Sequence, residues 1–178
     1  VLDHRFGLAR GFSTYEDDVL GGARDDIEAS IDSSVTVGRA LDWLRRDPER
    51  PIFLWVHFYD PHQPYQPPEP FASRYKGRDY DGEVAYMDEQ VGRLLEGVAA
   101  RGRPTLIAAL GDHGESLGDH GELTHTYFIY SATQHVPFLL SLPGYLPAGE
   151  TLTPVVRGVD LMPTLLDLAG LAVPDGID

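Results

Sequence analysis

Apolar residues fall along this chain in two kinds of pattern. Between Arg24 and about Asp47, Ile27, Ile31, Val35, Leu41 and Leu44 recur at spacings of three, four or six, the period of a helix that lays one stripe on a core. Asp25 and Asp26 suit its first turn and Arg45 and Arg46 its last, matching the helix dipole. Pro48 and Pro51 stop it. Asp79 to Ala100 repeats the pattern with Val84, Met87, Val91, Leu94, Leu95 and Val98, and Gly102 and Pro104 end it. A last helix is predicted from an N-cap at Asp160, with Pro163 in its first turn, to Gly170. The other pattern is continuous. Ile52 to Phe58, Thr105 to Leu110 and Val136 to Leu142 are short apolar runs, the signature of buried strands. The order helix, strand, helix, strand, strand, helix predicts an α/β fold with a mainly parallel sheet, residues 1–178 forming a single domain.

Residues 1–23 have little periodicity and carry turn signals at Gly7, Gly11 and Gly21-Gly22. Phe6, Leu8, Phe12 and Tyr15 are expected to tether this segment to a surface. Glu16-Asp17-Asp18 reads as a solvated loop rather than a ligand cluster. The opening VLDHRFGLARGF has no cationic leader followed by an apolar segment, and no initiator methionine, so the chain is expected to be part of something longer.

Two of the strands end in chemistry. Thr105 to Leu110 runs into Gly111-Asp112-His113-Gly114, a carboxylate and an imidazole between glycines. In open α/β sheets the ligand crevice lies at the carboxyl ends of strands, and Asp beside His offers a metal ion a hard oxygen and a borderline nitrogen. Ile52 to Phe58 runs into Tyr59-Asp60-Pro61-His62-Gln63-Pro64-Tyr65, where prolines restrict the backbone around His62 and lower the entropic cost of aiming it. His57, inside the run, reads as a satisfied core histidine, and His135, before the last run, as structural. Asp119-His120 repeats the Asp-His pair, and reads as a loop that supports the first one. Glu115 reads as a brace of the turn.

Composition narrows the partners. A formal charge of −14 argues against nucleic acid and anionic membrane. It is compatible with a divalent cation. No run reaches the roughly 18–20 apolar residues of a membrane-spanning helix. The absence of cysteine removes disulfides, thiolate metal sites and cysteine nucleophiles from these residues. The compartment stays undetermined.

Four motifs in order resemble the sulfatases of the alkaline-phosphatase-like superfamily: Asp60-Pro61-His62-Gln63-Pro64-Tyr65, Asp112-His113-Gly114-Glu115 with Leu117-Gly118-Asp119-His120-Gly121, Val136-Pro137, and Val159-Asp160 through Asp167. Phe6-Gly7-Leu8 with Gly11-Phe12 and Tyr15 resembles a segment that precedes this half in bacterial members. The resemblance implies a three-layer α/β sandwich and a hydrolase of small-molecule sulfate esters. It implies one divalent metal ion, calcium or manganese ahead of zinc, and a formylglycine nucleophile made from a C/S-x-P-S-R motif. Asp112 and His113 match the second pair of metal ligands, and His62 matches the histidine that helps protonate the leaving group. His125 falls near where many sulfatases carry a lysine on the sulfate. C/S-x-P-S-R and the early Asp-Asp metal pair do not occur here and are expected upstream of Val1. The 178 residues alone are therefore expected to be inactive, and to self-associate through uncovered apolar sheet surface. A phosphonate monoester hydrolase or phosphoethanolamine transferase of the same superfamily is the alternative, and a non-catalytic binding module another.

Overall fold

The computed structural model describes residues 2–17, 31–125 and 127–177, which gather into two compact units, 1–101 and 102–178. In the first unit, helix α1 (Ser33–Arg46) starts at Asp32, whose carboxylate accepts the Ser34 N–H at 2.8 Å. That cap is why the helix does not run continuously from Arg24, as the apolar spacing predicts. Asp32 is non-helical, with ψ of 137°, and its side chain takes over a bond that the previous turn would otherwise make. Asp18, Gly21-Gly22, Arg24, Asp25, Asp26 and Ile27 lie outside the described residues.

Helix α2 (Phe71–Arg74) is a single turn, and α3 (Asp79–Ala99) matches the expected span. Its buried face is rotated from the expected stripe. Gly82, Glu83, Tyr86, Gln90 and Leu94 are buried, while Val84 and Leu95 are more than a third exposed. Val37, Ala40 and Leu44 of α1 pack with Leu94 of α3, and Leu41, Val98 and the even positions of Ile52 to Phe58 close around them. At Gly97 the tip of Leu41 lies over the helix: a Cβ there would lie 2.1 Å from Leu41 Cδ2.

Ile52 to Phe58 alternates rather than being buried on both faces. Ile52, Leu54, Val56 and Phe58 turn to the core, while Phe53 (71 % exposed) and Trp55 (47 %) turn outward. It joins no ladder among the described residues, so a side-chain period of two survives without a strand partner. His57, expected in the core, is exposed for the same reason. Phe12 lies against the outward rings, 5.7 Å from Phe53 and 6.3 Å from Trp55. Phe12 makes the expected tether there, with Trp43 Nε1 donating to Thr14 Oγ1 at 3.2 Å and Tyr15 OH donating to Leu2 O at 2.8 Å. Phe6 (71 % exposed) and Leu8, also expected to tether, face solvent.

In the second unit β1 (Ile107–Leu110) pairs with β2 (Phe138–Ser141), Ile107 facing Ser141 and Leu110 facing Phe138. The pairing is antiparallel. The expected mainly parallel, three-layer sheet is not what the described residues form; their ladder has two strands. Helix α4 (Ser131–Gln134) precedes β2, and α5 (Leu161–Leu168) follows a 3-10 turn, Gly158–Asp160. Asp160 receives the Arg157 N–H at 2.6 Å and its guanidinium at 3.2 Å.

Candidate active site

The loop carrying His62 is fixed from α1 and α3 of the first unit. Asp60 Oδ2 accepts the Ser33 hydroxyl at 2.5 Å and the Ser33 N–H at 3.2 Å. Glu83, in the second turn of α3 and 5 % exposed, receives the His62 N–H on Oε2 at 3.1 Å and the Gln66 N–H on Oε1 at 2.5 Å. Burial lifts the Glu83 pKa above its ordinary value, the two backbone bonds pull against that, and the Asp60 charge adds to the rise. Gly82 allows the loop to sit close, since a Cβ there would fall 2.8 Å from Pro67 Cγ. The Asp60-Pro61 and Gln63-Pro64 peptides are cis. The His62 ring lies 4.3 Å from Tyr59, and its Nδ1 is 2.7 Å from the Gln63 carbonyl. A carbonyl oxygen only accepts, so Nδ1 carries a proton and Nε2 is the nitrogen at which protonation can change.

In the second unit β1 delivers Asp112 and His113 to an exposed turn. Gly111 N–H continues the ladder by donating to Pro137 O at 3.1 Å. Gly114 N–H donates to Thr133 O at 2.8 Å, and a Cβ on Gly114 would lie 2.1 Å from Ala132 O. Only glycine allows α4 to approach so closely. Asp112 Oδ1 accepts the His113 N–H at 3.0 Å and lies 3.8 Å from His113 Nε2. His113 Nδ1 donates to the Gly114 carbonyl at 2.9 Å, which leaves the Nε2 lone pair for a ligand, the usual arrangement of a metal-binding histidine. Two ligand bonds of about 2.0–2.2 Å each span the separation of the two donor atoms. The donor set fits a divalent ion.

His125 is brought to His113. Their rings stack at 3.8 Å and 26°, although twelve positions separate them in sequence. Glu115, its side chain 5 % exposed, meets His125 Nδ1 at 3.3 Å, so it braces more than its own turn. The loop between them closes on Glu122, which is buried and accepts the Tyr127 N–H at 2.6 Å and the Phe128 N–H at 3.2 Å. Asp119 and His120 are exposed on this loop. The Asp119 N–H donates to Ser116 O and the His120 ring stacks on Tyr130 at 4.1 Å. His135 is exposed, its N–H donating to Ser131 O at 2.9 Å.

Sequence reasoning passed over Glu83 and Glu122. Each is a buried carboxylate beside exposed neighbours, Val84 after Glu83 and Gly121 and Leu123 around Glu122, so the local sequence reads as a solvated position. One further cluster, Asp3, His4 and Asp17, offers ligand atoms within 4.8 Å of one another. Those groups already satisfy each other: His4 Nδ1 donates to Asp17 at 2.8 Å, and Arg5 pairs with Asp3 at 2.8 Å. Arg5 holds the Asp3 carboxyl down at about 2.

Known proteins resemble this chain in sequence and in backbone. The sulfatase family model matches residues 4–171. An arylsulfatase of Clostridium perfringens is 28 % identical over 192 residues, covering 80 % of this chain and 39 % of the relative. Human iduronate 2-sulfatase is 37 % identical over 138 residues, covering 62 % of this chain and 25 % of the relative. A Bacteroides fragilis structure assigned to the sulfatases superposes with a TM-score of 0.75 at 21 % identity, over 82 % of this chain and 39 % of that one. The chain thus spans well under half the length of these relatives. The match of nearly every residue to one family model, on a backbone shared with a solved structure of that family, makes this chain a member of the sulfatase family.

Proposed function

We propose that these residues supply the leaving-group acid and one pair of metal ligands to a hydrolase of small-molecule sulfate esters. The observation that carries this is the Asp112–His113 pair, two ligand atoms 3.8 Å apart with the histidine tautomer set by Gly114. The sulfatase family in general works with a divalent ion and formylglycine. When bound, such an ion offsets the negative charge of the sulfate and orients the nucleophile. C/S-x-P-S-R is absent from the 178 residues, so in this reading nucleophile and remaining ligands come from outside them. Residues 1–178 are then the later part of one catalytic domain.

His62 is assigned the proton. Cleavage of a sulfate ester builds negative charge on the departing oxygen, and a positioned imidazolium removes it by transfer from Nε2. The Nδ1–H bond to Gln63 holds the ring plane while that happens. His125, stacked on His113, is assigned to the sulfate oxygens. The same stacking supports a second reading, a phosphoryl-group enzyme of the superfamily. Comparing turnover of matched aryl sulfates and phosphonate monoesters separates the two.

The test of the main reading is His62→Ala in the full-length protein. Bound metal should be retained, with kcat/KM falling about 100-fold on aryl sulfates with poor leaving groups and far less on those with good ones. An equal fall across leaving groups would remove His62 from proton transfer.

A further inference from the structure

We infer that Glu83 is the positioning residue of His62, setting where its imidazole stands by receiving both backbone N–H groups that bracket the Pro64 turn. This rests on the reading of His62 as the leaving-group acid. The argument starts from cost. A carboxylate 5 % exposed on a packing helix is expensive unless its oxygens are met, and an apolar residue would pack α3 as well. Here both oxygens are met, and both donors come from one loop: His62 N–H and Gln66 N–H. Charge-assisted bonds of this kind are the strong ones. They clamp the segment at two points four residues apart, with the ring-bearing residue at one of them.

The surroundings leave the clamp little freedom. Gly82 seats Pro67 against the helix, and Ser33 holds Asp60, two residues before His62. One turn further along α3, Tyr86 OH donates to Asp32 Oδ1 at 2.6 Å, which fixes the rotation of the helix that carries Glu83. The imidazole therefore inherits its place from α3 through main-chain bonds.

Glutamine is the informative substitution. Its amide has one oxygen and one NH2, so of two converging N–H groups one keeps an acceptor and the other faces a donor. In the full-length protein, Glu83→Gln should speed amide exchange at His62 or Gln66 by about 10-fold or more while exchange in residues 90–98 of α3 holds. Unchanged protection of both amides would overturn the inference, whatever the reaction is. On an aryl sulfate with a poor leaving group, Glu83→Gln should lower kcat about 10-fold or more with KM within about 3-fold. In a His62→Ala background it should cost less than about 3-fold, because the group it positions is gone. Losses that multiply across the two variants would assign Glu83 a merely structural role. A protein without sulfatase turnover would refute the proposed function while the exchange experiment still decided the clamp. If Glu83→Gln does not fold, Glu83→Asp keeps the charge but shortens the reach by one methylene, and the same two measurements decide.

Discussion

Three glycines, two in the site turn and Gly97 in α3, offer a graded test of close packing. At Gly114 an added Cβ would lie 2.1 Å from Ala132 O, a main-chain atom of α4. Relief requires α4 and the turn to part by about 1 Å, which stretches the Gly114 N–H bond to Thr133 O, now 2.8 Å. Overpacking costs about 1–3 kcal/mol and a lost hydrogen bond about 0.5–1.5 kcal/mol net. Gly114→Ala should therefore cost about 2–4 kcal/mol. At Gly111 the nearest atoms are Val136 Cβ at 3.3 Å and Pro137 Cδ at 3.4 Å, so a shift of tenths of an ångström suffices and the cost should stay below about 1 kcal/mol. At Gly97 the contact is again 2.1 Å, but with the tip of Leu41, whose Cγ is 3.6 Å away. A rotamer change clears it, and alanine gains up to about 1 kcal/mol of helix propensity. Identical distances thus predict opposite outcomes, because one obstacle is backbone and the other the end of a flexible chain. Urea unfolding followed by far-ultraviolet circular dichroism orders the three variants, and Gly114→Ala should lower Tm by about 4–16 °C. A Gly114→Ala protein within about 0.5 kcal/mol of Gly97→Ala would refute the steric argument.

Further outcomes follow from the caps and the ligand pair. Asp32→Ala removes the N-cap of α1 and the acceptor of Tyr86 OH, and should cost about 1–2 kcal/mol in urea. Burial pushes the Asp32 pKa up, but bonds from Ser34 and Tyr86 outweigh it and hold it below its ordinary value. A depressed carboxylate contributes stability that is present above its unfolded pKa, about 3.9, and lost as pH falls through its folded one. Stability should therefore fall more steeply below about pH 4 in the wild type than in Asp32→Asn, and superimposable Tm–pH curves would contradict this. Asp112→Ala and His113→Ala in the full-length protein should each lower bound metal, measured by elemental analysis, together with activity. Full occupancy in either variant would remove that residue from the site.

What the sequence could and could not reveal divides along physical lines. The span of α3 is legible because apolar residues mark a helical period and Gly102 and Pro104 mark its end. Its buried face is not, since Glu83 and Gln90 are covered by neighbours that the period cannot see. Ile52 to Phe58 reads as a strand buried on both faces, yet Phe53 and Trp55 point outward, because composition reports apolarity and not which face finds a neighbour. The motifs locate His62, Asp112 and His113 at the ends of apolar runs. The stacking of His125 on His113 depends on a loop closed by Glu122, a tertiary event with no local signature. The antiparallel pairing of β1 and β2 was equally hidden, as the alternation of helices and strands suggested parallel neighbours.

The chain's aromatic rings are unevenly shared between its two units. Both tryptophans, Trp43 and Trp55, belong to residues 1–101, one bonded to Thr14 and the other facing outward beside Phe12. Residues 102–178 contain none, and only Tyr127, Tyr130 and Tyr145 absorb there in the near ultraviolet apart from phenylalanine. Excitation at the red edge of the indole band therefore lights the α1–α3 unit alone. The turn that carries Asp112 and His113 is spectroscopically dark at that wavelength. A tryptophan placed at exposed Leu117 or Leu123 would give that turn its own lamp, and the two units could then be followed one at a time.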